Sequence, residues 1–195
     1  MRNADIRRTT KETDIQVMLN LDGSGNSDIH SGIPFMDHML TLFAKHGNFD
    51  LNVHACGDLD VDCHHTMEDL GITLGHAIDH ALGDKVSIRR YGNFLLPMDE
   101  ALVLVALDLS GRPYLVYDLK PQSAYIKDLD TALFKEFFFA LTVKSGMTLH
   151  FRQMSEPGET HHLFEAAFKG FAKALSVAVS IDPNGHGIPS TKGVL

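Results

Sequence analysis

Two histidines stand side by side just ahead of a glutamate in "DCHHTMEDLG", where His64, His65 and Glu68 open an apolar helical pattern, and the same arrangement returns 97 residues later as His161, His162 and Glu165 in "ETHHLFEAAF". On a helix, residues four apart share a face, so His64 with Glu68, and His161 with Glu165, can each grip one ion. His65 and His162 point about 100° away and can serve a second. A lone pair of adjacent histidines at a helix start is ordinarily solvated or a satisfied core pair. Neither role requires the same ligand types at the same offsets in a second helix, so the recurrence selects metal binding. Imidazole with one carboxylate per site suits a borderline divalent ion such as Mn²⁺, Fe²⁺, Co²⁺, Ni²⁺ or Zn²⁺. Three protein ligands with room for water would leave positions open for a substrate. His38 and His46, in "PFMDHMLTLFAKHG", are further ligand or acid–base candidates, and Glu136 stands in the matching stretch of the second half.

The elements that must position these groups are themselves duplicated. Behind the first motif runs the stripe Met67, Leu70, Leu74, Ile78 and Leu82, and behind the second Phe164, Ala167, Phe171, Leu175 and Val179, spaced as on amphipathic helices. Upstream, the alternation of Ile15, Val17, Leu19 and Leu21 and the more continuously apolar "ALVLVALDL" read as strands closing on turns. Helices are expected over 34–47 and 133–146, with Pro34 at a helix start and Gly47 and Gly146 just past helix ends, each followed by a short strand. Each half therefore reads strand(s), helix, strand(s), helix. The expected fold is α+β, an internally duplicated half-domain of roughly 90 residues with the helices of the halves packed together. The halves, about 1–92 and 93–182, form one unit over 1–195, and 183–195 is a Gly- and Pro-rich tail. "GSGNS" at 23–27 is a turn, too short for a phosphate loop.

The 195 residues suffice for a substantial core, and the net charge of −8 argues against a general nucleic-acid or anionic-membrane surface. No apolar leader opens the chain and no run approaches the ~18 residues of a membrane span, so a cytoplasmic location is expected. Cys56 and Cys63 are the only cysteines, which fits a reducing compartment.

"GIPFMDHML", "DCHHTMEDLGITLG", "RRYGNFLLPMDEAL", "DLSGRPYLVYDL", "THHLFEAAFKGFAKAL" and the ending "PSTKGVL" together resemble the imidazoleglycerol-phosphate dehydratase family of histidine biosynthesis over nearly the whole chain. The resemblance implies dehydration of D-erythro-imidazoleglycerol phosphate to imidazoleacetol phosphate. It also implies a duplicated unit of a four-stranded sheet with two helices, and a 24-subunit cage with two Mn²⁺ per active site, held between subunits. Carried over residue by residue, it implies one site of His38, His64, Glu68 and His162, completed by a neighbouring subunit, and another of His65, Glu136, His161 and Glu165. Glu136 stands where some members carry histidine.

The chemistry is demanding because the carbon-bound hydrogen to be lost has no adjacent carbonyl to acidify it. Coordination of both ring nitrogens would favour an imidazolate, whose electrons expel the neighbouring hydroxyl to give a diazafulvene, and proton loss then leads through an enol to the ketone. For the proton transfers the resemblance points to Glu12, His46 and Lys169, with Asp99 in "PMDEAL" as a further candidate. For the phosphate, Arg90, Arg112, Ser190, Thr191 and Lys192 supply forked guanidinium groups, hydroxyls and an ammonium, while Arg89 is read as solvent-facing. A metal-storage protein would explain the ligands but give these cations no role. A dinuclear phosphoesterase would need two ions ~3.5–4 Å apart on a bridging carboxylate, whereas the histidines of each helix aim at separate sites.

Overall fold

The computed structural model describes residues 2–195. The first half runs β1 (Asn3–Thr9), β2 (Thr13–Asn20), β3 (Ser27–His30), α1 (Pro34–Gly47), β4 (Asp50–Gly57) and α2 (His64–Leu82). The second runs β5 (Tyr91–Met98), β6 (Ala101–Asp108), β7 (Tyr114–Asp118), a small hairpin β8 (Tyr125–Ile126) and β9 (Leu129–Asp130), then α3 (Leu133–Ser145), β10 (Thr148–Gln153) and α4 (Thr160–Val179). The sheets are ordered β1-β2-β4-β3 and β5-β6-β10-β7, the same topology twice, with one parallel pair at the far edge of each. The duplicated α+β architecture expected from the sequence is the fold observed. The second half opens with Tyr91, two residues ahead of the expected junction at 93.

Local pattern accounts for most of these elements. In β2, Ile15, Val17 and Leu19 point inward and are at most 2% exposed, while Gln16 and Met18 face out. β6 alternates in the same way, with Val103 and Val105 buried. Its sequence reads as continuously apolar because the outward Leu102, Leu104 and Ala106 are only half-buried on a largely apolar outer face. Pro34 sits in the first turn of α1, where a missing N–H costs nothing. Gly146 is the left-handed residue after α3, at φ 66°. Gly47, expected in the same role, is instead the last residue of α1, and Asn48 takes the left-handed turn at φ 58°. Packing is the reason for that glycine, since a Cβ on Gly47 would stand 2.3 Å from the Phe49 ring.

Each sheet is covered by its own long helix, α2 on β1 and β2, α4 on β5 and β6, and the halves meet through α2 against α3 and α1 against α4. The α2–α3 contact is close because Gly71 and Gly75 admit it: a Cβ there would lie 2.3 Å from the Phe137 carbonyl and 2.6 Å from that of Leu141. Fully buried phenylalanines from both halves, among them Phe43, Phe138, Phe164 and Phe171, fill the interior between the sheets. The tail folds back on the body: Gly187 accepts from the Ser87 N–H and Pro189 from Arg90. No described helix is long and apolar enough to cross a membrane.

Candidate metal centre and substrate pocket

Packing of α1 on α4 decides the first cluster. His38 on α1 and His161 on α4 both direct Nε2 at one oxygen of Glu165, at 2.9 and 3.0 Å. Lys169, one turn further along α4, bonds the other oxygen. Burial pushes the Glu165 carboxyl up, but the bonds from Lys169, His38 and His161 together outweigh it and hold it down at about 2. One donor atom from each of His38, His161 and Glu165 lies within 4.8 Å of the others, a spacing that one ion can bridge with bonds of about 2.0–2.2 Å. Two imidazoles and an ionised carboxylate fit the borderline ion that the spacing of the motif calls for. Phe35 packs edge-on against the His161 ring at 5.1 Å and restricts its orientation.

His162, turned away on the same helix, meets different partners. Its Nδ1 lies 2.9 Å from Glu100 and its Nε2 3.7 Å from Asp99, both in the turn between β5 and β6. The bond to Glu100 pushes the imidazole pKa up against the opposing effect of burial. In the first half His65 is treated alike: its Nδ1 lies 3.0 Å from Asp58 and 3.9 Å from Glu12, and the bond to Asp58 raises its pKa. A carboxylate on Nδ1 leaves Nε2 available to a metal, the usual arrangement behind a metal-bound histidine. His64 and Glu68 are exposed on α2, outside both clusters.

Within the chain His38 meets His161 and Glu165, because α1 crosses α4 on the face carrying Glu165; the expected set of His38, His64, Glu68 and His162 is one that a neighbouring subunit would complete. Glu136 is half-buried on α3 and belongs to neither cluster, because α3 packs against α2. Of the proton-transfer candidates, Glu12 stands beside His65 and Lys169 beside Glu165. Burial, with the positive charge of Lys169 and Lys173, pushes the His46 pKa down. Asp58 and Glu100 were not singled out from the sequence. The available signal was position, since Glu100 ends the β5–β6 turn just as Glu12 ends the β1–β2 turn.

Arg90, Arg112, Ser190, Thr191 and Lys192 surround one cavity of 620 Å³, with Tyr91 and Pro189. Asp108 holds Arg90 through Nε at 2.7 Å and Nη2 at 3.1 Å, while the Pro189 carbonyl takes Nη1 at 2.8 Å. Arg112 is more exposed and reaches Asp108 at 3.6 Å. Three cations against the single Asp108 carboxylate leave the cavity net positive, suited to a phosphate. Arg89 is exposed.

Residues 31–175 match the family model described as imidazoleglycerol-phosphate dehydratase. The chain is 56% identical over 194 residues to the imidazoleglycerol-phosphate dehydratase of Lachnoclostridium phytofermentans, covering 100% of this chain and 98% of that one. It is 55% identical to that of Microcystis aeruginosa, covering 100% of this chain and 93% of the relative. Among solved structures, it is similar to the enzyme from Pyrococcus furiosus at a TM-score of 0.84 and 40% identity, over 97% of this chain and 100% of that one. The Staphylococcus aureus enzyme matches at 0.83 and 36%, over 92% and 99%.

Proposed function

The chain belongs to the imidazoleglycerol-phosphate dehydratase family, and from that premise we propose that it is the hydro-lyase of histidine biosynthesis that converts D-erythro-imidazoleglycerol phosphate to imidazoleacetol phosphate, in the cytoplasm and with two Mn²⁺ per active site. The observation that carries the metal part is the convergence of His38, His161 and Glu165 within 4.8 Å, joined on the same helix by a second imidazole aimed elsewhere. His161 and Glu165 would hold one ion and His162 the other, with His38, His64, His65, Glu68 and Glu136 as the remaining ligands. When bound, the two ions would supply Lewis acidity to the two nitrogens of the substrate ring, favouring the imidazolate and diazafulvene route.

The chain's own residues bind the phosphate and move protons. Arg112 and Lys192 are the cations least engaged by protein, and Ser190 and Thr191 add hydroxyl donors. Asp108 holds the Arg90 fork at the cavity wall. Glu12 offers an exposed carboxylate beside the His65 ring, which suits a group that takes a proton from carbon and gives it up again. His46, whose pKa is lowered, is neutral near pH 7 and able to accept. Lys169 keeps Glu165 ionised.

Exposure of His64 and Glu68 supports completion of the sites by a partner subunit, and the proposal extends to a 24-subunit particle in which metal is both cofactor and cross-link. The test is to incubate metal-loaded protein with imidazoleglycerol phosphate, measure ketone formation, and repeat after EDTA with light scattering. Ketone should form before chelation, and activity and particle size should fall together after it. No ketone from metal-loaded protein ends the assignment. Activity lost from a particle of unchanged size ends the shared-site part alone.

A further inference from the structure

The hairpin β1–β2 lies on α2 as β5–β6 lies on α4, and register identifies corresponding residues. Arg8 pairs with Ile15 as Leu96 pairs with Val103, and Thr13 opens β2 as Ala101 opens β6. Asp69 follows His65 by four residues, as Ala166 follows His162. In the second half the three positions are apolar and buried: Leu96, Ala101 and Ala166 are 8, 4 and 0% exposed. In the first half they are a carboxylate, a hydroxyl and a guanidinium. Asp69, itself buried, accepts from the half-buried Arg8 through Nε at 2.9 Å and from the buried Thr13 hydroxyl. Removing a carboxylate from water is unfavourable, and the apolar set packs an equivalent hairpin on an equivalent helix. The fold does not require the polar set.

The difference coincides with a difference at the hairpin tips, where Glu12 and Glu100 occupy the corresponding last turn position. Glu100 is fully engaged, with one oxygen 2.9 Å from His162 Nδ1 and the other accepting the Glu159 N–H at 2.6 Å. Glu12 lies 3.9 Å from His65 Nδ1, a nitrogen that Asp58 already holds at 3.0 Å, so its carboxylate is free for other work. Its backbone is nonetheless held: the Glu12 N–H donates to the Thr10 hydroxyl at 3.0 Å, and its carbonyl accepts the Asp58 N–H at 3.1 Å. We infer that Asp69 is a positioning residue: through Arg8 on one strand and Thr13 on the other it fixes the hairpin to α2, and so places the Glu12 carboxylate beside His65. The inference rests on the reading of Glu12 as the proton-transfer group.

The second half supplies the test, because its apolar set can be moved into the first. The triple variant Arg8→Leu, Thr13→Ala, Asp69→Ala is compared, as metal-loaded full-length enzyme, with the parent, with Glu12→Gln and with the combination of all four changes. The triple variant is expected to fold, to keep its manganese, and to hold KM within about threefold while kcat falls about 100-fold. Combined with Glu12→Gln it should lower kcat no further, since both act through one group. A folded, manganese-replete triple variant with parental kcat overturns the inference, as does a second loss of similar size on top of Glu12→Gln. Parental kcat in Glu12→Gln alone removes the role of Glu12, and the inference falls with it; the two failures are told apart by which variant is silent. Should the triple variant not fold, Thr13→Val, which deletes one bond to Asp69 and keeps its shape, is read by the same criteria with a loss of about tenfold.

Discussion

On α4 the His-His-x-x-Glu pattern is engaged inside its own chain, with Glu165 buried beneath bonds from His38, His161 and Lys169, whereas on α2 His64 and Glu68 lie exposed. Both helices begin with the same ligand types at the same spacing, so the difference comes from what packs beside them. The ligand end of α4 is crossed by α1, which brings an imidazole, while the neighbour of α2 is α3, which meets it through the Phe137 and Leu141 backbone and the Ala140 and Lys144 Cβ atoms. Duplication thus supplied two equivalent sets of candidate ligands. Divergence of the neighbours left one gathered within the chain and the other exposed.

The sharpest way to break this comparison is to remove the two glutamates separately. Glu68→Ala and Glu165→Ala should both abolish turnover, by a factor of about 1,000 or more, if both hold metal. Only Glu165→Ala should also lower the stability of the metal-free chain, by about 1–3 kcal/mol, because it strands the largely buried Lys169 and the half-buried His161. Denaturant melts of EDTA-treated protein check this. Equal losses of stability would mean that the two copies are equally embedded and that the contrast is false.

A smaller effect separates both ligand helices from the cationic cavity. Arg112→Ala or Lys192→Ala should raise KM about ten- to hundredfold, or roughly 1.5–3 kcal/mol, with manganese content unchanged. Loss of manganese in either variant would show that cavity and metal centre are not independent. Steady-state kinetics and metal analysis on the same preparations decide it.

The mildest expected effect is on pH dependence, and it sharpens the comparison by separating histidine from carboxylate. His65 and His162 hold their protons more tightly than ordinary imidazole, because Asp58 and Glu100 bond them. A bound proton must leave before the nitrogen can ligate. Manganese affinity should therefore fall as pH drops, beginning above the ordinary value of about 6.5. Glu165, held at about 2, stays ionised throughout that window and contributes nothing to the fall. Asp58→Asn removes the largest cause of the His65 shift and should move the onset to lower pH. Titration of Mn²⁺ binding by electron paramagnetic resonance between pH 5 and 8 reads it, and affinity that is flat across that range would contradict the assignment.

Much of the fold was legible because its signals are local. The alternation of Ile15, Val17 and Leu19, the stripe behind each histidine pair, and the Pro34 and Gly146 helix boundaries depend only on near neighbours. Where tertiary contacts set the pattern, the reading fell short. β3 carries a single half-buried apolar residue, Ile29, and is held in place by pairing with β4, so nothing in "SDIH" announces a strand. Gly47 satisfies the Phe49 ring and not a turn. Asp58 and Glu100 look like ordinary loop acids until the turns that carry them are laid over the histidines.

By itself, the sequence determined that the chain is duplicated and which ligand types share a helix face, because the helical period places residues one and four apart whatever surrounds them. Tertiary structure alone decided which faces meet. His38 reaches Glu165 across 127 residues of chain, Asp69 reaches Arg8 across 61 and Glu100 reaches His162 across 62. Such contacts depend on helix crossing and strand register summed over the whole core, which no local spacing encodes.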